Sequence, residues 1–309
     1  MPELPIPLVS LVVRTKNEKE RIERCLKSCL HQDYPSVELI VVDNESTDGT
    51  QTIAKKYTDL VFNRGPERIA QGNYGMLSIA KGKYVMYVDA DMILEPGLIS
   101  AAVSEAEKLG DIGLYINEVV LGRGFWGSMR RFERTFYNGT CIDAARFLRR
   151  AEVLQVGGFD EETFPSPSAE DWDLDRRMRD LGNLSTLVYY PLQKASWDQE
   201  VLTYVSSLLP SRPLSYQGLF HDEAHVTPGV YLRKKSYYSK TMLDYKQKWG
   251  LNDLIIKKQF GIKYRFFGVF LENKKWKPAL THPIMLLSIF AFRIAVGANY
   301  FFRNHQKQK

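Results

Sequence analysis

Two aspartates, Asp89 and Asp91, flank the small residue Ala90 at the end of the apolar run Tyr84 to Val88 in a chain of 309 residues. A run of that length, rich in β-branched and aromatic residues, predicts a buried strand. Carboxylates at a strand's carboxyl end lie where open α/β sheets bind ligands. Ala90 leaves the space between the acids free, so they can share a hard divalent cation, Mn²⁺ or Mg²⁺, whose remaining positions go to a substrate diphosphate. The same residues also suit a plain strand followed by a helix N-cap. Two further acidic groups share this ambiguity. Asp43 starts the polar loop Asp43-Asn44-Glu45-Ser46-Thr47-Asp48-Gly49-Thr50, which fits a ligand loop and Asx-turn chemistry alike. Glu170, Asp171 and Asp173 crowd the first turn of a helical pattern, more acids than capping requires.

The elements that must position these residues alternate in type. Residues 8 to 14 predict a first strand, 19 to 32 a helix with Ile22, Cys25, Leu26, Cys29 and Leu30 on one face, and 37 to 42 a second strand. A helix over 50 to 57, a strand over 60 to 62, a helix over 68 to 80 and the strand 84 to 88 follow. Further on come a helix over 95 to 109 and a strand over 112 to 120. Strands alternating with helices imply a doubly wound, mostly parallel sheet. Gly157-Gly158 predicts a turn where backbone can approach a substrate. The helix from Glu170 buries Leu174, Met178 and Leu181 and is capped by Gly182.

Four stretches, in order, resemble the family 2 glycosyltransferases of GT-A fold: SLVVRTKNEKERIERCLKSCLHQDYPSVELIVVDNESTDGT, ERIAQGNYGMLSIAKGKYVMYVDADM, VGGFDEE and EDWDLDRRMRDLG. The likeness covers roughly residues 8 to 190. It implies an α/β, Rossmann-like fold in which Thr15, Asn17 and Glu18 lie beside the base of a nucleotide sugar, Asp43 hydrogen-bonds that base, and Arg68, Gln71 and Asn73 lie over the nucleotide. Asp89, Ala90 and Asp91 then form the metal and diphosphate site, with His221 as a third ligand. Matching to the family's E-D pair makes Asp171 the catalytic base. Glu170 would orient it or touch acceptor hydroxyls, while Gly158 lies on the acceptor side and Trp172 either stacks on a sugar or fills the core.

The net charge of +6 hides an asymmetry: residues 231 to 309 hold 17 Lys and Arg against three acids. Such an end should meet an anionic surface. Residues 284 to 302 are apolar apart from Arg293 and a few small or amide residues, about 28 Å of helix. That is marginal for crossing a ~30 Å hydrocarbon core, so a helix lying in the interface is favoured, with His282, Arg293, Gly297, Tyr300 and Asn304 toward water or protein. The stretch 122 to 140 interleaves Arg123, Arg130, Arg131 and Arg134 with five aromatic residues. It predicts an interfacial lipid-phosphate surface, with an amphipathic core helix as the alternative. Nucleic acid is disfavoured as a partner because the acidic motifs would repel it and no nucleic-acid module is recognisable.

Three sparse cysteines, Cys25, Cys29 and Cys141, and an N-terminus without a basic, cleavable leader point to reduced thiols and a site facing the cytoplasm. The expected organisation is a GT-A domain over 1 to 230 (nucleotide half 1 to 94, acceptor half 95 to 230), then a basic extension over 231 to 309. Within the extension a membrane-associating helix spans 279 to 303. The expected protein is a metal-dependent, inverting transferase, peripheral or monotopic on the cytoplasmic face of the cell membrane. It would use a UDP- or GDP-sugar and a lipid-linked or glycolipid acceptor. A polyprenyl-phosphate sugar synthase and a non-catalytic nucleotide-binding scaffold are the alternatives; a sugar nucleotidyltransferase would need a Gly-rich, lysine-bearing phosphate loop that this sequence does not open with.

Overall fold

The computed structural model describes residues 5–187, 196–209, 218–238 and 241–306, with side chains to 298. Strands β1 (Val9–Thr15), β2 (Val37–Asp43), β3 (Val61–Asn63), β4 (Tyr84–Asp89), β5 (Met92–Leu94), β6 (Gly113–Tyr115), β7 (Glu118–Leu121), β8 (Ala145–Arg149), β9 (Leu184–Thr186) and β10 (Leu219–Asp222) form two sheets. The larger runs β3-β2-β1-β4-β8-β6-β9, the smaller β5-β10-β7. β1 pairs in parallel with β2 and β4, so Thr15, Asp43 and Asp89 end side by side at one sheet edge. Only β8 runs against its neighbours in the large sheet. All seven residues of β1 are buried, as expected for a strand covered on both faces.

Helices α1 (Ile22–Leu30), α2 (Thr50–Ala54), α3 (Arg68–Asn73), α4 (Leu98–Leu109), α5 (Gly124–Tyr137), α6 (Arg150–Val156), α7 (Glu170–Arg179) and α8 (Gln199–Leu208) are interspersed with the strands. α1 and α4 pack on one face of the large sheet through Leu26, Ile99 and Val103. Ile69, Met76, Leu174 and Met178 cover the other. The basic C-terminal end folds as α9 (Pro228–Tyr238), α10 (Met242–Trp249), α11 (Leu254–Phe260), α12 (Val269–Leu271), α13 (Trp276–Thr281) and α14 (Pro283–Gln306).

Three expectations are corrected. The strand expected over 112 to 120 is two, β6 and β7, because the chain leaves the large sheet after Tyr115 to pair with β10 in the small one. The helix expected over 68 to 80 widens into π-turns over Tyr74–Ile79. There Gly75 lies against β1 so closely that a Cβ would sit 2.3 Å from Val12 Cγ1. The basic, aromatic stretch 122 to 140 is no lipid-facing surface: α5 buries Arg130, Arg131 and Glu133 and shares a core with α12, α13 and α14 through Met129, Phe136, Phe270 and Ile289. Its guanidiniums are consumed inside the protein, Arg130 by Glu133 and Glu223, Arg134 by Glu118 and Asp143.

Candidate active site

A cavity of about 1090 Å³ opens at the carboxyl ends of β1 and β4 and is lined by Thr15, Glu18, Arg68, Gln71, Asp89, Ala90, Asp91, Asp171, Trp172 and His221, together with residues of α5, α9 and α14. Its size suits a large small-molecule ligand. Five of the expected residues do not line it: Asn17, Asp43, Asn73, Gly158 and Glu170.

The two ends of the D-x-D triplet have different surroundings. Arg14, the penultimate residue of β1, donates from Nε and Nη2 to Asp89 Oδ1 at 3.0 and 2.6 Å, and Arg146 stands 3.7 Å from Oδ2. Burial alone would raise the Asp89 pKa, but Arg14 and Arg146 outweigh it and hold the carboxyl well below its ordinary range. Asp91 faces His221 Nε2 at 3.3 Å, and its Oδ1, though buried, makes no hydrogen bond within the described residues. Glu118 lies 3.8 Å from the other imidazole nitrogen. Burial opposes charge on His221, yet Asp91 and Glu118 prevail and raise its pKa well above the ordinary value.

Among the described residues no cluster of three His, Cys, Asp or Glu stands preassembled for a metal. Asp89, Asp91 and His221 are thus not preassembled as ligands: Arg14 already neutralises Asp89, and His221 must lose its proton before it can ligate. The unpartnered oxygen of Asp91, beside an imidazole and above an open cavity, does fit a divalent cation that takes its other ligands from a diphosphate.

α7 places the acids that crowd its first turn in three different environments. Asp173 is fully buried and accepts from Arg177 and Trp249. Glu170 is also fully buried, so it touches no acceptor hydroxyl; it receives both Nε and Nη2 of Arg68, at 2.9 and 2.6 Å. Asp171 alone turns into the cavity, with a buried Oδ1 that has no hydrogen-bond partner among the described residues. Burial first, then the neighbouring Glu170, pushes its pKa up against the pull of Arg68 and Arg146. A carboxylate poised in this way is a better proton acceptor than an exposed one. A base must be deprotonated to act, so the acidic limb of the kcat/KM pH profile should lie above the ordinary aspartate value of about 3.9. Rate should rise with pH through that limb, and Asp171→Asn should abolish it; a limb unchanged in the variant would assign it to another group.

The remaining expected residues, in or beside the cavity wall, brace one another. Asp43 is fully buried, with its oxygens taken up by Ser46 and Gln51, so it shapes the loop rather than offering a free carboxylate. Asp48 accepts from Thr50 and the Lys19 amide, which is capping chemistry. Asn17, at φ 53°, exchanges hydrogen bonds with Ser46 and Thr47. Gln71 ties the ends of β1 and β2 by donating to the Thr15 and Val42 carbonyls at 2.8 and 2.6 Å. Asn73 clasps the Phe159 backbone in both directions. That clasp accounts for Gly158, whose φ is +69° and whose hypothetical Cβ would lie 2.3 Å from Asn73 Oδ1. Trp172 leans on Tyr245 and Phe260, ring centres 5.9 and 6.0 Å away, at the cavity wall.

Four residues of the site escape a reading of motifs: Arg14, Glu118, Arg146 and Tyr238, the last 5.3 Å from the Arg68 guanidinium. Arg14 alone carried a signal, a charge inside an otherwise apolar strand, which must find a partner when buried.

A mostly parallel sheet flanked by helices, with acids at the carboxyl ends of its strands, is the GT-A architecture. Residues 10–158 match the profile of glycosyl transferase family 2, so the chain carries a family 2 glycosyltransferase domain. Beta-monoglucosyldiacylglycerol synthase of Nostoc sp. is 26% identical over 93% of this chain and 60% of its own length. The chain thus spans less than two thirds of that relative's length. The S. aureus TarS 1-349 structure in complex with UDP superposes with a TM-score of 0.52 at 18% identity, covering 98% of this chain and 92% of that one. The mannosyltransferase PcManGT from Pyrobaculum calidifontis, in complex with GDP-Man and Mn²⁺, gives 0.50 at 18% identity, covering 97% and 83%.

Proposed function

We propose that this protein is a metal-dependent, inverting glycosyltransferase that moves a sugar from a UDP- or GDP-sugar to a lipid-linked or glycolipid acceptor at the cytoplasmic face of the membrane. The observation that carries this proposal is that one cavity holds two buried, unpartnered carboxylate oxygens, Asp91 Oδ1 and Asp171 Oδ1, on different elements. Asp91, with His221 once deprotonated and the outer oxygen of Asp89, would hold Mn²⁺ or Mg²⁺. Such an ion, when bound, supplies Lewis-acid stabilisation of the departing diphosphate. Thr15 and Glu18 line the nucleotide end of the cavity, and the guanidinium of Arg68, held by Glu170, is within electrostatic reach of Asp89 and Asp171. Asp171 Oδ1 takes the acceptor hydroxyl proton as that oxygen attacks the anomeric carbon. The bond from this carbon to the diphosphate oxygen breaks on the opposite face, and the configuration inverts. Asp91→Asn should remain folded while losing metal-dependent donor binding. Calorimetric titration with UDP and with GDP checks this, and wild-type affinities that are the same with Mn²⁺ and with EDTA would overturn the metal role.

For the membrane, the support comes from the C-terminal helices. Ile262, Phe267, Leu271, Leu280, Ile284, Leu287 and Ile294 are between 62% and 75% exposed, interspersed with Lys263, Lys274 and Lys277. No helix among the described residues is long and apolar enough to cross a membrane. Lysines near an anionic leaflet contribute about 1 kcal/mol each and are screened by salt, whereas apolar insertion is not. Replacing Ile284, Leu287 and Ile294 together by Ser should leave liposome co-flotation only at low salt. Neutralising Lys263, Lys274 and Lys277 should spare a salt-resistant fraction. If the unaltered protein ignores anionic liposomes at physiological salt, the membrane assignment fails.

A further inference from the structure

Besides the acids, the cavity has an arm lined by cations and apolar side chains. Lys235 of α9 and Arg265, which follows α11, line this arm, and neither is paired with a carboxylate among the described residues. Lys235 is solvent-exposed and Arg265 half-buried, whereas the more deeply buried cations nearby are neutralised: Arg130 by Glu133 and Glu223, Arg293 by Glu133, Arg146 by Glu118. Lys235 reaches water through the cavity yet has protein close around it. Burial, then repulsion from Arg130 and Arg265, draws its pKa down to about 8. Like charges crowded together without a counter-ion are costly unless an anion joins them. Arg265 lies 6.0 Å from the ring of Trp172, the neighbour of Asp171, so this arm adjoins the proposed base. Phe266, Phe292, Val296 and the exposed Ile262 also line the cavity, and Ile294 is exposed on the same helix as Phe292 and Val296.

We propose that Lys235 and Arg265 form an acceptor-anion subsite, which takes a phosphate ester carried by an amphipathic acceptor whose hydroxyl lies at Asp171 and whose apolar chain follows Phe266, Phe292 and Val296 outward. This rests on the glycosyltransferase assignment and narrows it: the acceptor is an anionic lipid, not a neutral glycolipid. The guanidinium fork and the ammonium together match the oxygens of a phosphate, and Trp172 beside them offers a face to the sugar or polyol between phosphate and hydroxyl.

The test uses the full chain with its donor site saturated by UDP and Mn²⁺, so that an added anion must bind elsewhere. Farnesyl phosphate, farnesol and inorganic phosphate are titrated separately by calorimetry. Farnesyl phosphate should bind at least about tenfold more tightly than either of the other two, since each lacks half of the recognised chemistry. Arg265→Gln and Lys235→Gln should each weaken it about tenfold or more while UDP affinity stays within twofold, and Arg265→Lys should recover part of the loss. Equal binding of farnesol would reduce the arm to an apolar groove, and equal binding of inorganic phosphate would make it a free-anion site; either overturns the proposal, as does unchanged binding by both Gln variants. Absence of UDP binding in the first step would instead overturn the glycosyltransferase assignment.

Discussion

Asp171→Asn is expected to lower kcat by about 10² to 10⁴-fold while donor affinity stays within a few-fold, the range that general-base catalysis contributes. The substitution is nearly isosteric and keeps the α7 first turn. Its Oδ1 makes no hydrogen bond in the wild type, so no structural contact is lost there. What disappears is the one carboxylate of the α7 first turn that faces the cavity, because Glu170 is fully buried against Arg68 and Asp173 is closed off by Arg177 and Trp249. Single-turnover rates with saturating donor separate the chemical step from binding. An unchanged rate would mean that the acceptor needs no base, which is the behaviour of a polyprenyl-phosphate sugar synthase.

The second large effect lies in stability. Glu133→Ala should cost about 3–5 kcal/mol, the usual penalty for removing one partner of a buried ion pair. Glu133 binds Arg130 and Arg293 and accepts from Tyr137, with only 4% of its side chain exposed. Its loss leaves Arg293 without a carboxylate and Arg130 with Glu223 alone, in the core between α5 and α14. Urea unfolding measures the change. Lys83→Ala is the control: its partner Glu107 is 42% exposed, and such surface pairs are worth about 0–1 kcal/mol. Burial would raise the Glu133 pKa, but Arg130 and Arg293 bring it down to about 2. A depressed carboxyl stabilises above its unfolded value of about 4.3, and that contribution is lost as pH falls through about 2. The variant should therefore show less acid-induced destabilisation across that window. If Glu133→Ala is no worse than Lys83→Ala, α14 is not held by this network.

Arg293 shows where sequence stops being sufficient. Its apolar surroundings make it a conspicuous charge at the middle of a hydrophobic helix, and the stripe it belongs to could face water or protein. The structure turns it inward, where it bonds Glu133, Tyr137 and the Arg265 carbonyl. The partner acid lies 160 positions away, and no local pattern encodes that distance. The same limit hid the fate of Arg130, whose partner Glu223 is 93 positions on. By contrast, the strands that end at Thr15, Asp43 and Asp89 are legible because each is a largely apolar run closed by a polar residue. The three-residue strands β5 and β6 are not, since their pairing comes from tertiary contact rather than from propensity. Asp43 and Gly158 are legible as loop and turn residues and Asn73 as a helical one, but composition cannot tell a group that touches a ligand from one that braces its neighbour.

The most direct measurement is a thermal-unfolding screen of the full chain against UDP- and GDP-sugars, with Mn²⁺ and with EDTA. At about 100 times its Kd, a bound donor stabilises the native state by about 2.7 kcal/mol, which is several degrees in Tm. At least one nucleotide sugar should give such a shift with Mn²⁺, lose it with EDTA and lose it in Asp91→Asn. A Tm that no nucleotide sugar moves, or a shift indifferent to EDTA, would contradict a metal-dependent donor site at Asp91.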